Sequence, residues 1–240
     1  MHRPGRPGDL PEPWELWARG AAMAAVEATI PEDLNASFLV HSRGVSHDDS
    51  GGNEWTLALI EGGRAVLYGC DHEASRTRFR EPRLDLLAGA PSWLPLEWLR
   101  DLLEADELGF VYWFDGEWTR VEYPADVRDD GLTGAVGRTM DMQKLIFMVT
   151  DVVFGYKLAE AVGADDDEDV DSALDETIGR ARKGALEEMV RQARERALSA
   201  DGFAWFSERF DLDLTAALRT AQRAGLTPGS AFPELPAGAE

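Results

Sequence analysis

Apolar residues follow two rhythms along this chain. From residue 38 to about 121 they come mostly in short runs or alternate with polar residues, and glycine and proline separate the runs. Past residue 139 they recur at three- and four-residue spacing. The first rhythm is that of strands, the second that of helices.

At the N-terminus, Pro13 suits the first position of a helix. Leu16, Trp17, Ala21, Ala24 and Ala28 follow at helical spacing. This predicts an amphipathic helix over 13–29, stopped before Pro31. Phe38, Leu39 and Val40 predict a short strand. Residues 41–53 are polar and glycine-bearing, and read as a loop. Trp55, Leu57 and Leu59 alternate with Thr56, Ala58 and Ile60, Gly62-Gly63 signals a turn, and residues 65–68 are apolar again. A hairpin over 54–69 is predicted, covered on both faces because both carry apolar residues. Residues 71–91 are irregular and carry Arg76, Arg78 and Arg80. Pro95 opens a helix to Glu104, with Leu96, Leu99 and Leu103 on one face. Residues 110–114 and 117–121 flank Asp115-Gly116, a favoured two-residue hairpin turn. That register sets Trp113 opposite Trp118, an aromatic pair that adds roughly 0.5–1 kcal/mol.

In the second half, 142–162 is apolar nearly all round and predicts a buried helix, or a strand followed by a helix. Leu174, Ile178, Ala181, Ala185, Met189 and Ala193 form one stripe of a long helix over 171–199. Its acids come early and Arg191, Arg194 and Arg196 late, as the helix dipole favours. Asp201-Gly202 breaks it. Residues 203–210 and 215–224 read as short helices, with Gly225 as a C-terminal cap. The fold expected is α+β: an antiparallel sheet with flanking helices in the N-terminal part and a helical C-terminal part. In detail, 1–12 is a loose N-terminal segment and 13–138 the sheet-bearing part. Residues 139–225 are a helical part packed on it as one domain, and 226–240 a loose tail.

Charge narrows the functional classes. Residues 97–130 hold eleven acids against three bases, and 160–176 hold nine acids and no base. These two stretches supply −17 of a formal −21. Such a balance argues against nucleic acid and anionic membrane as partners and favours a basic protein surface. The single cysteine, Cys70, excludes an internal disulfide, so no oxidising compartment is required. The N-terminus has arginines but no apolar stretch behind them, which argues against a secretory signal. A cytoplasmic location is expected, and the Ala, Arg, Asp and Gly bias suggests a bacterial genome of high GC content.

Candidate chemistry is sparse. No nucleotide-binding glycine loop, serine-hydrolase elbow or zinc-protease motif occurs, and no cofactor is expected. His41, His47, Asp71 and His72 concentrate metal-ligating types, and a hydrolase or metal-dependent enzyme built on them is one alternative. Their spacing matches no zinc signature, so no metal site is assigned. Cys70 and His72 could form a nucleophile and base on one strand face, although Asp71 and Glu73 disfavour a thiolate. The run from Asp165 meets only half the requirement of a calcium loop, since Val170 stands where glycine is needed. The aromatic hairpin is the better candidate. If one face meets the core, the other is an apolar patch rimmed by Glu117 and Glu122.

The expected function is therefore that of a non-enzymatic acidic module that binds a basic protein partner. Tyr112, Trp113, Trp118, Glu117 and Glu122 of the hairpin, with Asp165, Asp166 and Asp167, form its binding set. A bacterial immunity or antitoxin-type inhibitor is its concrete form. A second alternative is a structural or regulatory subunit, with helices 142–162 and 171–199 making an oligomer interface.

Overall fold

A computed structural model of the chain describes residues 1–29, 36–149, 176–207 and 213–238. The chain forms two compact units. The first takes residues 1–17, 41–138 and 233–240, and the second 18–40 and 139–232. The class is α+β.

The strands are β1 (Phe38–His41), β2 (Gly44–Asp48), β3 (Asn53–Ile60), β4 (Arg64–Asp71), β5 (Phe110–Phe114), β6 (Trp118–Thr119) and β7 (Glu234–Leu235). Their order is β1-β2-β3-β4-β5-β6, with β7 beside β3. The ladders from β2 to β6 are antiparallel, whereas β7 runs parallel to β3. The predicted hairpin is β3–β4, turned by Gly62 and Gly63 at φ of 88° and 73°, where a side chain would be strained.

One strand was not foreseen. β2 lies within the stretch read as a loop, because Ser46, His47 and Asp48 mask its alternation. Only Val45 and His47 are buried on its inner face, and His47 pairs with Trp55.

The sheet is apolar on both sides. Ala58, Ile60, Val66, Tyr68, Val111 and Trp113 share one face, which packs under Leu86, Leu94, Trp98, Leu99 and Leu108. Trp98 and Leu99 come from α2 (Leu96–Glu104), the helix that Pro95 opens. Trp55, Leu57, Leu59, Leu67, Phe110 and Tyr112 alternate with those residues and are buried on the other face.

Residues 1–12 were expected to be loose, yet Gly5 and Pro11 within them are tied down. Asp130 is fully buried, and its carboxylate accepts from the Gly5 amide at 2.9 Å, the Tyr112 hydroxyl at 2.7 Å and the Tyr123 hydroxyl at 3.3 Å. Arg120 donates to the Gly5 carbonyl at 3.1 Å and stacks 3.8 Å from the Tyr123 ring centre. The Trp118 indole donates to the Pro11 carbonyl at 2.7 Å. Burial first, and the Asp130 charge after it, push the Tyr123 phenol well up, so it stays a donor. The anchoring groups lie more than a hundred residues away in the chain, so local composition could not announce them.

The second unit is helical. α1 (Pro13–Glu27) runs out of the first unit into it, ending earlier than the pattern predicted. The helix is buried nearly all round rather than on one stripe, because Ala18, Ala21, Ala22, Ala24 and Ala25 leave no bulky face to turn to water. After α3 (Leu132–Ala135) and α4 (Gly137–Met140) come α5 (Met142–Val149) and α6 (Glu176–Arg194). The remainder of the apolar stretch to 162 lies outside the described residues. α6 buries Leu186, Met189, Val190 and Ala193, and turns Glu187, Glu188 and Arg191 outward. From Lys183 to Arg194 it carries no exposed apolar stripe. α7 (Ala204–Ser207) and α8 (Leu214–Arg223) follow. Asp213 caps α8, accepting from the Thr215 and Ala216 amides at 2.9 and 3.1 Å. Among the described residues, no helix is long and apolar enough to cross a membrane.

Candidate functional site

The aromatic hairpin folds in a register one residue away from the predicted one. Phe114 faces Trp118, and Trp113 faces Thr119. Asp115, Gly116 and Glu117 together make the loop, with Gly116 at φ of 80°. It is a three-residue connection, in which Asp115-Gly116 is only the first part. The shift moves Trp118 to the other sheet face. There it meets Phe114 edge to face at 5.4 Å instead of pairing with Trp113.

Both faces of the hairpin are therefore covered, and no exposed aromatic patch exists there. Tyr112 is fully buried against Asp130, and Trp118 is buried against the N-terminal segment. Glu122 is exposed. Asp165, Asp166 and Asp167 lie outside the described residues, as does the calcium-like run that they begin.

Trp113 and Glu117 do come together, with residues the sequence reading did not single out. They line a cavity of about 250 Å3 between the hairpin and the segment 89–93. Trp93 and Trp113 contribute indoles, Asp115 and Glu117 contribute exposed carboxylates, and Pro91 and Thr119 complete the lining. The hairpin register sets Thr119 beside Trp113, and the loop carries the two acids to the rim. On the other side, Gly89 at φ of 71° closes a turn that presents Pro91 and Trp93. The Arg64 guanidinium stands 5.1 Å from the Trp93 ring centre, while its Nε donates to the Glu61 carbonyl at 2.7 Å. The Trp93 ring thus already accepts one cation within the chain. Indole faces and carboxylates both favour positive charge, so the cavity suits an ammonium or guanidinium group.

The four residues of the enzyme alternative do not converge. His41 is exposed and accepts from the Arg43 amide at 3.2 Å. His47 is buried on the opposite sheet face from Cys70, stacked on Trp55 at 6.3 Å. Burial first, against the raising charges of Asp49 and Asp48, pushes its imidazole down to about 4. Asp71 is occupied locally, accepting from the Glu73 and Ala74 amides at 3.0 and 2.9 Å. His72 lines a cavity with Asp48, Glu54, Cys70 and Arg78, and His41, His47 and Asp71 are not part of that lining. Sheet order accounts for the scatter, since β2 and β3 separate β1 from β4. No three His, Cys, Asp or Glu side chains among the described residues could hold a metal ion.

Cys70 is not set up as a nucleophile. Its thiol donates to Glu54 Oε1 at 3.4 Å, and burial, with the Glu54 charge next, pushes it up to about 12. Comparison with protein-family models, with curated proteins and with solved structures finds no significant match to this chain.

Proposed function

We propose that this chain is a non-enzymatic protein-binding module that takes a basic side chain of its partner between Trp93 and Trp113, beneath Asp115 and Glu117. The observation carrying this reading is the cavity itself. Two indoles and two carboxylates, from chain segments twenty residues apart, face one space large enough for a lysine or arginine head. The formal charge of −21 supports it, because a strongly acidic surface speeds encounter with a basic partner. An immunity or antitoxin-type inhibitor of a basic protein is the concrete form of this function. The free thiol of Cys70 suits a reducing, cytoplasmic setting for it.

Tryptophan fluorescence titration with an oligoarginine peptide, and with an oligoglutamate control, tests the reading. The arginine peptide should bind saturably and the glutamate peptide should not. Asp115→Asn with Glu117→Gln should weaken binding at least tenfold, and raised salt should weaken it further. Equal binding by the parent and the double variant would remove this cavity as the site.

A further inference from the structure

A second cavity, of about 310 Å3, lies at the opposite end of the same sheet face and differs in character. Along β3 that face passes from Ile60 and Ala58 to Thr56 and Glu54. Along β4 it passes from Val66 and Tyr68 to Cys70. Register sets Asp48, Glu54 and Cys70 side by side on β2, β3 and β4. Glu107, arriving before β5, and His72 and Arg78, following β4, complete the polar lining. Arg78 Nη1 donates to the Cys70 sulfur at 3.6 Å, and the sulfur in turn donates to Glu54. The Arg78 Nε is buried and has no hydrogen-bond partner among the described residues. The loop before β3 closes tightly on this end. Gly52 sits at φ of 91°, and a Cβ on it would stand 2.6 Å from that of His72.

The cavity is thus neither a bare acidic cluster nor a metal site. Its carboxylates surround a volume at the lower end of the range of small-molecule sites, and a guanidinium stands among them. Groups of both signs around one space of this size call for a ligand that also carries both signs. We propose that this cavity binds a free amino acid, with its ammonium among Asp48, Glu54 and Glu107 and its carboxylate on Arg78. A guanidinium fork matches a carboxylate in two parallel hydrogen bonds, which an ammonium side chain cannot reproduce. Burial first, with Asp48 and Glu107 among the charges, holds the Glu54 carboxyl above its ordinary range, and a bound ammonium relieves that crowding. The hairpin cavity plays no part in this site.

Calorimetric titration of the full chain with each of the twenty free amino acids tests the proposal, with the corresponding decarboxylated amines as controls. At least one amino acid should bind saturably at one site, and its amine at least tenfold more weakly. Arg78→Gln and Glu107→Gln should each weaken binding at least tenfold with unchanged far-UV circular dichroism. The proposal is overturned if no amino acid binds, if the amine binds as tightly, or if either variant binds like the parent. Asp115→Asn with Glu117→Gln should leave this binding intact, which separates it from the partner site.

Discussion

The two units differ in how much alanine they bury. In the first, Trp55, Phe110, Tyr112 and Leu67 fill the space around a sheet. In the second, Ala18, Ala21, Ala22, Ala193, Ala217 and Ala221 are among the fully buried residues of its helices. Large aromatic residues carry much of the buried area in the first, whereas the second mixes its alanines with Met23, Phe38, Met189 and Phe203. His47 in the first unit and Glu27 in the second are both buried, and the two respond to pH in opposite directions. His47 in the first is pushed down to about 4 by burial. Glu27 in the second is raised to about 7 by burial, although it accepts from the Phe38 amide at 2.7 Å and the Ser37 hydroxyl at 2.8 Å. The lesson is that one chain can hold two differently tuned stability profiles.

The largest expected effect is on the aromatic core. Phe110→Ala should destabilise the first unit by about 4 kcal/mol through the cavity that it leaves. Hydrogen exchange should then speed in β3–β5 and stay unchanged in α6. Equal loss of protection in α6 would mean that the units open as one, and the comparison would break.

The pH response comes next. Below about 6.5 the unfolded chain takes up a proton that buried His47 refuses, so this contribution is lost as pH falls from 6.5 towards about 4. Above about 4.5 the unfolded chain releases a proton that buried Glu27 keeps, so stability falls as pH rises from 4.5 through about 7. Each shift corresponds to about 3 kcal/mol at most. Exchange measured at pH 5 and pH 8 should show the first unit looser at pH 5 and the second looser at pH 8. Glu27→Gln should abolish the second response and leave the first. Parallel slopes in the two units would remove the distinction.

Smaller effects sharpen the picture. Ala193→Leu on α6 should cost about 2 kcal/mol by overpacking, where the same enlargement at a surface position costs little. Denaturant melting followed in the helical signal checks it. Gly5→Ala would place a methyl 2.5 Å from Leu132 Cδ2 and 2.7 Å from the Tyr112 hydroxyl. A cost of about 1 kcal/mol is expected, because the terminal segment can lift away instead of straining the core. Faster proteolysis within residues 1–11 would report that release.

Legibility followed the range of the determining contact. The β3–β4 hairpin and α2 were readable because Gly62-Gly63 and Pro95 act within a few residues of themselves. β2 was not, because its buried positions include a histidine that takes its place by pairing with Trp55. The hairpin register slipped because Asp115-Gly116 fits two loop lengths, and only the strand ladder chooses between them. Trp113 and Glu117 were named from that hairpin, and the structure has them lining one cavity. Trp93 was missed because it stands in an irregular stretch, and only tertiary packing brings it opposite Trp113. The scatter of His41, His47 and Asp71 depended on strand order, which no local spacing encodes.

The seam between β3 and β7 bears on how this protein is made. β3 comes from residues 53–60, but its parallel neighbour is residues 234–235, and Gly5 is anchored by Asp130. On a ribosome, Gly5 waits for Asp130, while Leu59 and Ile60 at the end of β3 wait for residues 234–235. The helical unit can settle as an insertion while the end of β3 still lacks its parallel partner. Premature release of the nascent chain should therefore leave a β3 margin open to strand addition by other molecules.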